Sequence, residues 1–110
     1  MKSEDAKSLS IFESIRGKIV FSSDRMMILE VEVPPGAIVP EHSHPHEQMG
    51  LCLQGRAEFG SGEGKQIVEA GMFYWIEPNE KHSVRNVGNE KGIFIDIFSP
   101  PREEYLKKLQ

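Results

Sequence analysis

Apolar residues in this chain recur at every second position, in short runs, and that spacing constrains the fold more than any other feature. In "GIFIDIFSPPR", Ile93, Ile95 and Ile97 alternate with Phe94, Asp96 and Phe98. Such a run makes a strand with two usable faces. The same reading predicts strands at Gly17–Phe21, Arg25–Val33, His46–Gln54, Arg56–Phe59, Lys65–Glu69, Met72–Ile76, Ser83–Asn86 and Gly92–Phe98. Between them stand "SSD", "PPG", "SGEG", "EAG", "EPNE" and "VGNEKG", all rich in turn formers. The expectation is an all-β sandwich or barrel. The tail "SPPREEYLKKLQ" breaks the pattern. Pro100 and Pro101, early acids at Glu103 and Glu104, and late Lys107 and Lys108 predict a short C-terminal helix.

With 110 residues the chain is one domain, read as residues 11–110 preceded by a flexible arm over residues 1–10, "MKSEDAKSLS". Its hydrophobic fraction of 38% against 27% charged residues is that of a folded soluble protein. The net charge of −4, with the basic residues scattered among acids, excludes a nucleic-acid partner or an anionic membrane surface. No window approaches the roughly 18 apolar residues of a membrane span, and the first residues lack an apolar signal segment. The expectation is a cytoplasmic protein. A single cysteine, Cys52, excludes an intrachain disulfide and suits a reducing compartment.

The stretch "PEHSHPHEQMGLCLQG" gathers three of the four histidines. On an extended segment His42, His44, His46 and Gln48 share one face and Glu47 takes the other. An H-x-H pair there offers two neutral imidazoles to one cation, and His82, after a turn far downstream, can close the set. A hydrogen-bonded or solvated loop would carry the same letters.

Longer spacing favours the metal. Gly36, five residues, His42-x-His44, three residues, Gln48, six residues and Gly55 resemble the first motif of the cupin superfamily, with Gln48 where glutamate usually stands. Gly71, five residues, Glu77-Pro78-Asn79, two residues, His82, three residues and Asn86 resemble the second. That run departs from the motif at Glu77 and Asn79, where proline and glycine are expected, which touches a turn and no ligand. The resemblance implies a small single-domain cupin β-barrel, or jelly roll, with ligands in its mouth, and frequent homodimerisation. Its metal ligands would be His42, His44, Gln48 and His82, around one divalent transition metal per chain: nickel, iron, zinc, cobalt or manganese. Because Gln48 is neutral, the ion's charge stays uncompensated and attracts anionic ligands for Lewis-acid work. Glu47 as ligand would break both the alternation and the motif spacing. His46 is read as an orienting neighbour or a solvated side chain, and Cys52 as cavity-lining or a small buried hydrophobe. Tyr74 and Trp75 point to opposite faces, so one can line the pocket.

"HSHPHEQ" together with "IDIFSPPREEYL" resembles the pectin-degradation cupins that linearise unsaturated uronates. That likeness implies metal-dependent, non-redox ring opening of 4,5-unsaturated monouronates, from pectin or alginate, to linear 5-keto-4-deoxyuronates. It also places Asp96, Phe98 and Arg102 beside the metal, as proton shuttle, wall and carboxylate clamp. The residues agree with it: a carboxylate between two phenylalanines is costly unless paired or employed, and a guanidinium fork suits a uronate carboxylate. Asp96 on an outer face, and Arg102 solvated or paired with Glu103 or Asp96, are the plainer alternatives. Two other functions share the motifs, an iron-using cupin dioxygenase and a non-catalytic sugar-binding or sensor cupin. The partner expected is a small carbohydrate acid.

Overall fold

Alternation decides which side of each strand is buried. In β3 (Met27–Val33) Met27, Leu29, Val31 and Val33 are buried, while Ile28, Glu30 and Glu32 between them are half-exposed. In β10 (Gly92–Ser99) the buried set is Gly92, Phe94, Asp96 and Phe98. The computed structural model describes residues 1–62 and 64–109. Their other strands are β1 (Ser8–Phe12), β2 (Ile15–Ser22), β4 (Ile38–His42), β5 (Glu47–Gln54), β6 (Arg56–Ser61), β7 (Gly64–Glu69), β8 (Phe73–Ile76) and β9 (His82–Asn86), followed by helix α1 (Glu103–Lys108).

These strands form a six-stranded sheet in the order β1-β2-β3-β10-β5-β8 and a four-stranded sheet in the order β4-β9-β6-β7. All pairings are antiparallel. The inward faces enclose Leu9, Ile15, Met27, Leu29, Val33, Cys52, Phe94 and Phe98 from the larger sheet and Ala57 and Val68 from the smaller. The product is the all-β architecture that the alternation predicts, in the jelly-roll form that the resemblance implies, with the short terminal helix expected of the tail.

Two strands escaped the sequence reading. The first, β1, takes its opening residues from the segment read as an arm: Leu9 is buried opposite Gly17, and Lys108 Nζ of α1 donates to the Ser10 carbonyl at 2.7 Å. The second, β4, contains Pro40, which lacks an N–H for a ladder. It lies at an edge of its sheet, where such a residue is tolerated.

The histidine stretch is also not one strand. After His42 the chain leaves the smaller sheet, crosses over residues 43–46, and enters the larger sheet at Glu47. A shared face from His42 to Gln48 is therefore corrected, because alternation does not survive a change of sheet. Asn79, where the motif expects glycine, has φ of 64°. Asparagine is among the few residues that adopt this left-handed conformation readily.

The outer face of the larger sheet carries an unbroken apolar row. Phe21 faces Ile28, Ile28 faces Ile97, Ile97 faces Met49 and Met49 faces Trp75. Phe21, Met49 and Trp75 are each at least half exposed. Among the described residues no helix is long and apolar enough to cross a membrane.

Core and outer face should respond differently to truncation. Leu29→Ala is expected to lower the unfolding free energy by about 2–5 kcal/mol, and Glu30→Gln on the opposite face to change it by no more than about 0.5 kcal/mol. Urea titration followed by circular dichroism checks both.

Candidate metal centre

The ends of two strands and the crossing between sheets deliver three imidazoles to one place. His42 closes β4 and His82 opens β9; the two are paired in register, with ring centroids 4.3 Å apart. His44 lies on the crossing, where its carbonyl accepts a 2.8 Å hydrogen bond from the Asn79 N–H. This bond ties the turn of the second motif to the first. One donor nitrogen from each of His42, His44 and His82 lies within 4.8 Å of the others.

Each ring is oriented by a main-chain carbonyl two residues away. The Nδ1 atoms of His42, His44 and His82 donate to the carbonyls of Pro40, His46 and Glu80 at 2.9, 3.0 and 2.8 Å. A carbonyl cannot donate, so Nδ1 carries the proton and Nε2 of each neutral ring keeps a lone pair. Burial, helped by the Arg102 charge, pushes the His44 imidazole down to about 4, and burial lowers His82 as well. Both are neutral near pH 7, as ligands must be.

Gln48, buried on β5, brings Oε1 to 3.2 Å from His44 Nε2. Two lone pairs thus face each other, an arrangement that a cation between them relieves. The donor set therefore fits a transition metal, with three imidazole nitrogens and one amide oxygen. Glu47 turns the other way, its carboxylate accepting a 2.8 Å hydrogen bond from Trp75 Nε1.

Beside this cluster lies Asp96, on the inner face of β10 and buried. Tyr74 donates to its Oδ1 at 2.5 Å. Burial pushes the Asp96 carboxyl up to about 6, while hydrogen bonding from Tyr74 and Gln48 and the Arg102 charge pull against the rise. Phe98 stands edge-on to His44 at 5.9 Å between centroids. The Arg102 guanidinium is buried, 5.0 Å from the Phe98 ring centroid and 4.6 Å from that of Tyr105. Its Nε and Nη2 donate to the two carboxylate oxygens of Glu104 at 3.0 and 3.2 Å, so the partner is neither Glu103 nor Asp96.

His42, Gln48, His82, Asp96, Phe98 and Arg102 all line one cavity of about 60 Å³. The structure keeps His46 out of that lining: its carbonyl orients His44, and its own Nδ1 is buried without a hydrogen-bond partner among the described residues. Cys52 is core, with Sγ directed at the Gln54 carbonyl. Of the two aromatic neighbours, Tyr74 lines the cavity and Trp75 faces outward. Two further residues were not read as part of the site. Glu104 could have been found from its place two residues after Arg102. Gly50 could have been found as a lone glycine inside an apolar strand, and it stands in register with both Asp96 and Tyr74.

Two antiparallel sheets closed around a histidine cluster are the architecture of a cupin. Residues 29–98 match the family described as Cupin domain, and the chain belongs to that family. It is 34% identical over 95 residues to the pectin degradation protein KdgF of Dickeya dadantii (strain 3937), covering 86% of each chain. Among solved structures, an RmlC-like cupin from Shewanella frigidimarina superposes with a TM-score of 0.86 at 22% identity, covering 96% of this chain and 93% of the other. KdgF from Halomonas sp. superposes with a TM-score of 0.85 at 23% identity, covering 94% and 96%.

Burial of His44 and of Asp96 acts on metal-free protein in opposite directions. Between about pH 4 and 6.5 the unfolded chain protonates His44 while the folded chain does not, so this group makes stability fall as pH falls. Between about pH 4 and 6 the folded chain protonates Asp96 while the unfolded chain does not, so this group makes stability fall as pH rises. Asp96→Asn is therefore expected to steepen the rise of stability with pH across that window, and thermal melts of chelated protein at successive pH values check it.

Proposed function

We propose that this protein opens 4,5-unsaturated monouronates to linear 5-keto-4-deoxyuronates, using one divalent transition ion held by His42, His44, His82 and Gln48. The observation that carries the reading is a convergence on one cavity. Two imidazoles of the metal-ready cluster, His42 and His82, share its lining with a buried carboxyl group and a buried guanidinium, and His44 completes the cluster beside it. The identity shared with a pectin degradation protein over most of both chains supports the same substrate class.

An ion in this site supplies Lewis-acid polarisation of substrate oxygens without any redox change. The protein's own groups do the rest. Arg102, braced against Phe98, Tyr105 and Glu104, receives the substrate carboxylate. Phe98 walls the ring so that its anomeric hydroxyl meets Asp96. Asp96 takes the proton of that hydroxyl, the C1 carbonyl forms, and the bond from C1 to the ring oxygen breaks with its electron pair passing to that oxygen. The enolate left across C4 and C5 then takes the proton back from Asp96 at C4, giving the 5-ketone. Atoms and electrons balance within one substrate molecule, and no oxidant is consumed.

We also propose that a second copy of the chain covers the apolar outer row. Five strands about 4.8 Å apart, four to eight residues long at about 3.3 Å each, present on the order of 550 Å² per copy. Two copies reach about 1,100 Å², above the roughly 1,000 Å² that a specific interface has to clear. Next to the row, Arg16 faces Glu32 and Lys18 faces Glu30 across β2 and β3, opposite charges that a two-fold axis can set against one another. Light scattering across a dilution series should find a dimer, and Met49→Lys combined with Phe73→Lys, the exposed residue two before Trp75 on the same face of β8, should give a folded monomer. A monomeric parent, or a variant still dimeric, removes the assignment.

The central test follows the vinylic proton by NMR, with freshly made unsaturated uronate from pectin and from alginate. Turnover above the spontaneous rate is expected, with loss on chelation and recovery on adding a transition metal. Asp96→Asn should cost about 10²–10⁴-fold in kcat with the ion retained, whereas Arg102→Ala should chiefly raise KM. Binding without turnover would replace this reading with a sugar-binding role, and iron-dependent oxygen uptake would replace it with a dioxygenase.

A further inference from the structure

Gly50 occupies the middle of β5, between Met49 and Leu51, in a backbone conformation that does not require glycine. A glycine there weakens a strand and packs nothing, so its presence calls for a physical reason. The reason lies in the row it belongs to. Asp96 of β10 faces Gly50, and Gly50 faces Tyr74 of β8. Asp96 and Tyr74 thus stand two strands apart, roughly 10 Å at the usual strand spacing. The Tyr74 ring closes that gap by lying over Gly50: a Cβ at position 50 would fall on its ring and hydroxyl atoms, far inside van der Waals contact. On the side of the smaller sheet, Phe59 packs on the same ring at 4.6 Å between centroids. Seated in this slot, the hydroxyl reaches Asp96 Oδ1.

We propose that Tyr74 is a positioning residue for proton transfer, holding Asp96 Oδ1 so that the carboxyl keeps a single orientation towards the substrate, and that Gly50 is glycine in order to admit it. The inference rests on Asp96 as the proton shuttle. Tyr74 acts through Asp96 and not on the substrate carboxylate, which belongs to Arg102 on another element. Losing the hydroxyl should therefore slow the chemical step and spare binding.

The test is a double-mutant cycle on metal-loaded protein, read by the same NMR assay. Tyr74→Phe keeps the ring and removes only the hydroxyl; it should lower kcat by about 10–100-fold, leave KM within about twofold, and leave the bound metal unchanged. Placed in the Asp96→Asn background it should change the residual rate by less than about twofold, since the group it positions is gone. Gly50→Ala, which leaves both side chains intact, should reproduce the kcat loss. A Tyr74→Phe protein turning over at the parent rate, or one whose loss multiplies with that of Asp96→Asn, overturns the inference while leaving the shuttle in place. Asp96→Asn at the parent rate removes the shuttle and this inference together. Should Gly50→Ala fail to fold, the Tyr74→Phe cycle decides alone.

Discussion

The site depends on three hydrogen bonds of one kind. Each imidazole of the cluster gives its Nδ1 proton to a carbonyl two residues away, at Pro40, His46 and Glu80. The Pro40 carbonyl lies in β4 where the register with β9 shifts, that of His46 at the end of the crossing, and that of Glu80 just before β9. A backbone acceptor is satisfied, and in the same act a ring is locked in direction. Neutral tautomer, ring direction and local backbone are thus one decision. The 2.8 Å bond from Asn79 to the His44 carbonyl joins the two halves of the cluster, so the ligand geometry is set by main chain more than by side-chain packing.

Around this frame the buried Asp96 and Arg102 each have partners, the carboxylate that holds Arg102 lying at the surface. Asp96 has Tyr74, and Arg102 has Glu104 and two aromatic faces. An unpaired charge in such an interior would cost several kcal/mol, and the pairing keeps the interior polar without that cost. The apolar floor from Leu29, Val31 and Phe94 reaches the same cavity, so the polar groups lie under one roof with a dry wall. In that setting each hydrogen bond and charge acts more strongly than it would in water.

Much of this was legible in the letters. Period two alone placed eight strands and put Asp96 on one face with Phe94 and Phe98, which is the buried face of β10. Motif spacing brought His42, His44 and His82 together across 40 residues. What alternation could not convey was a change of sheet. His44 sits between β4 and β5, where no strand phase exists, and Gln48 owes its inward direction to β5 alone. Pro40 hid β4, because an edge position is a property of the whole sheet. Glu104 as the partner of Arg102 depends on how α1 begins after Pro101, and the reach of Tyr74 over Gly50 depends on a register between three strands. Local pattern offers hints of these, in the short spacing of Arg102 and Glu104 and in a lone glycine within a strand, but the pairings themselves are set by the fold.

The two walls of the cavity carry different duties. His42 and His82 stand on the four-stranded sheet, whereas Asp96, Phe98 and Tyr74 stand on the six-stranded one, and Gln48 brings its amide oxygen to His44 from that second wall. The wall that bears the two imidazoles can therefore stay as it is while the facing wall changes. Positions 96 and 98 share the buried face of β10, and Tyr74 is matched to both Gly50 and Asp96, so that wall changes as a set. An inherited metal-ready cradle becomes a chassis on which new chemistries are tried without refounding the fold.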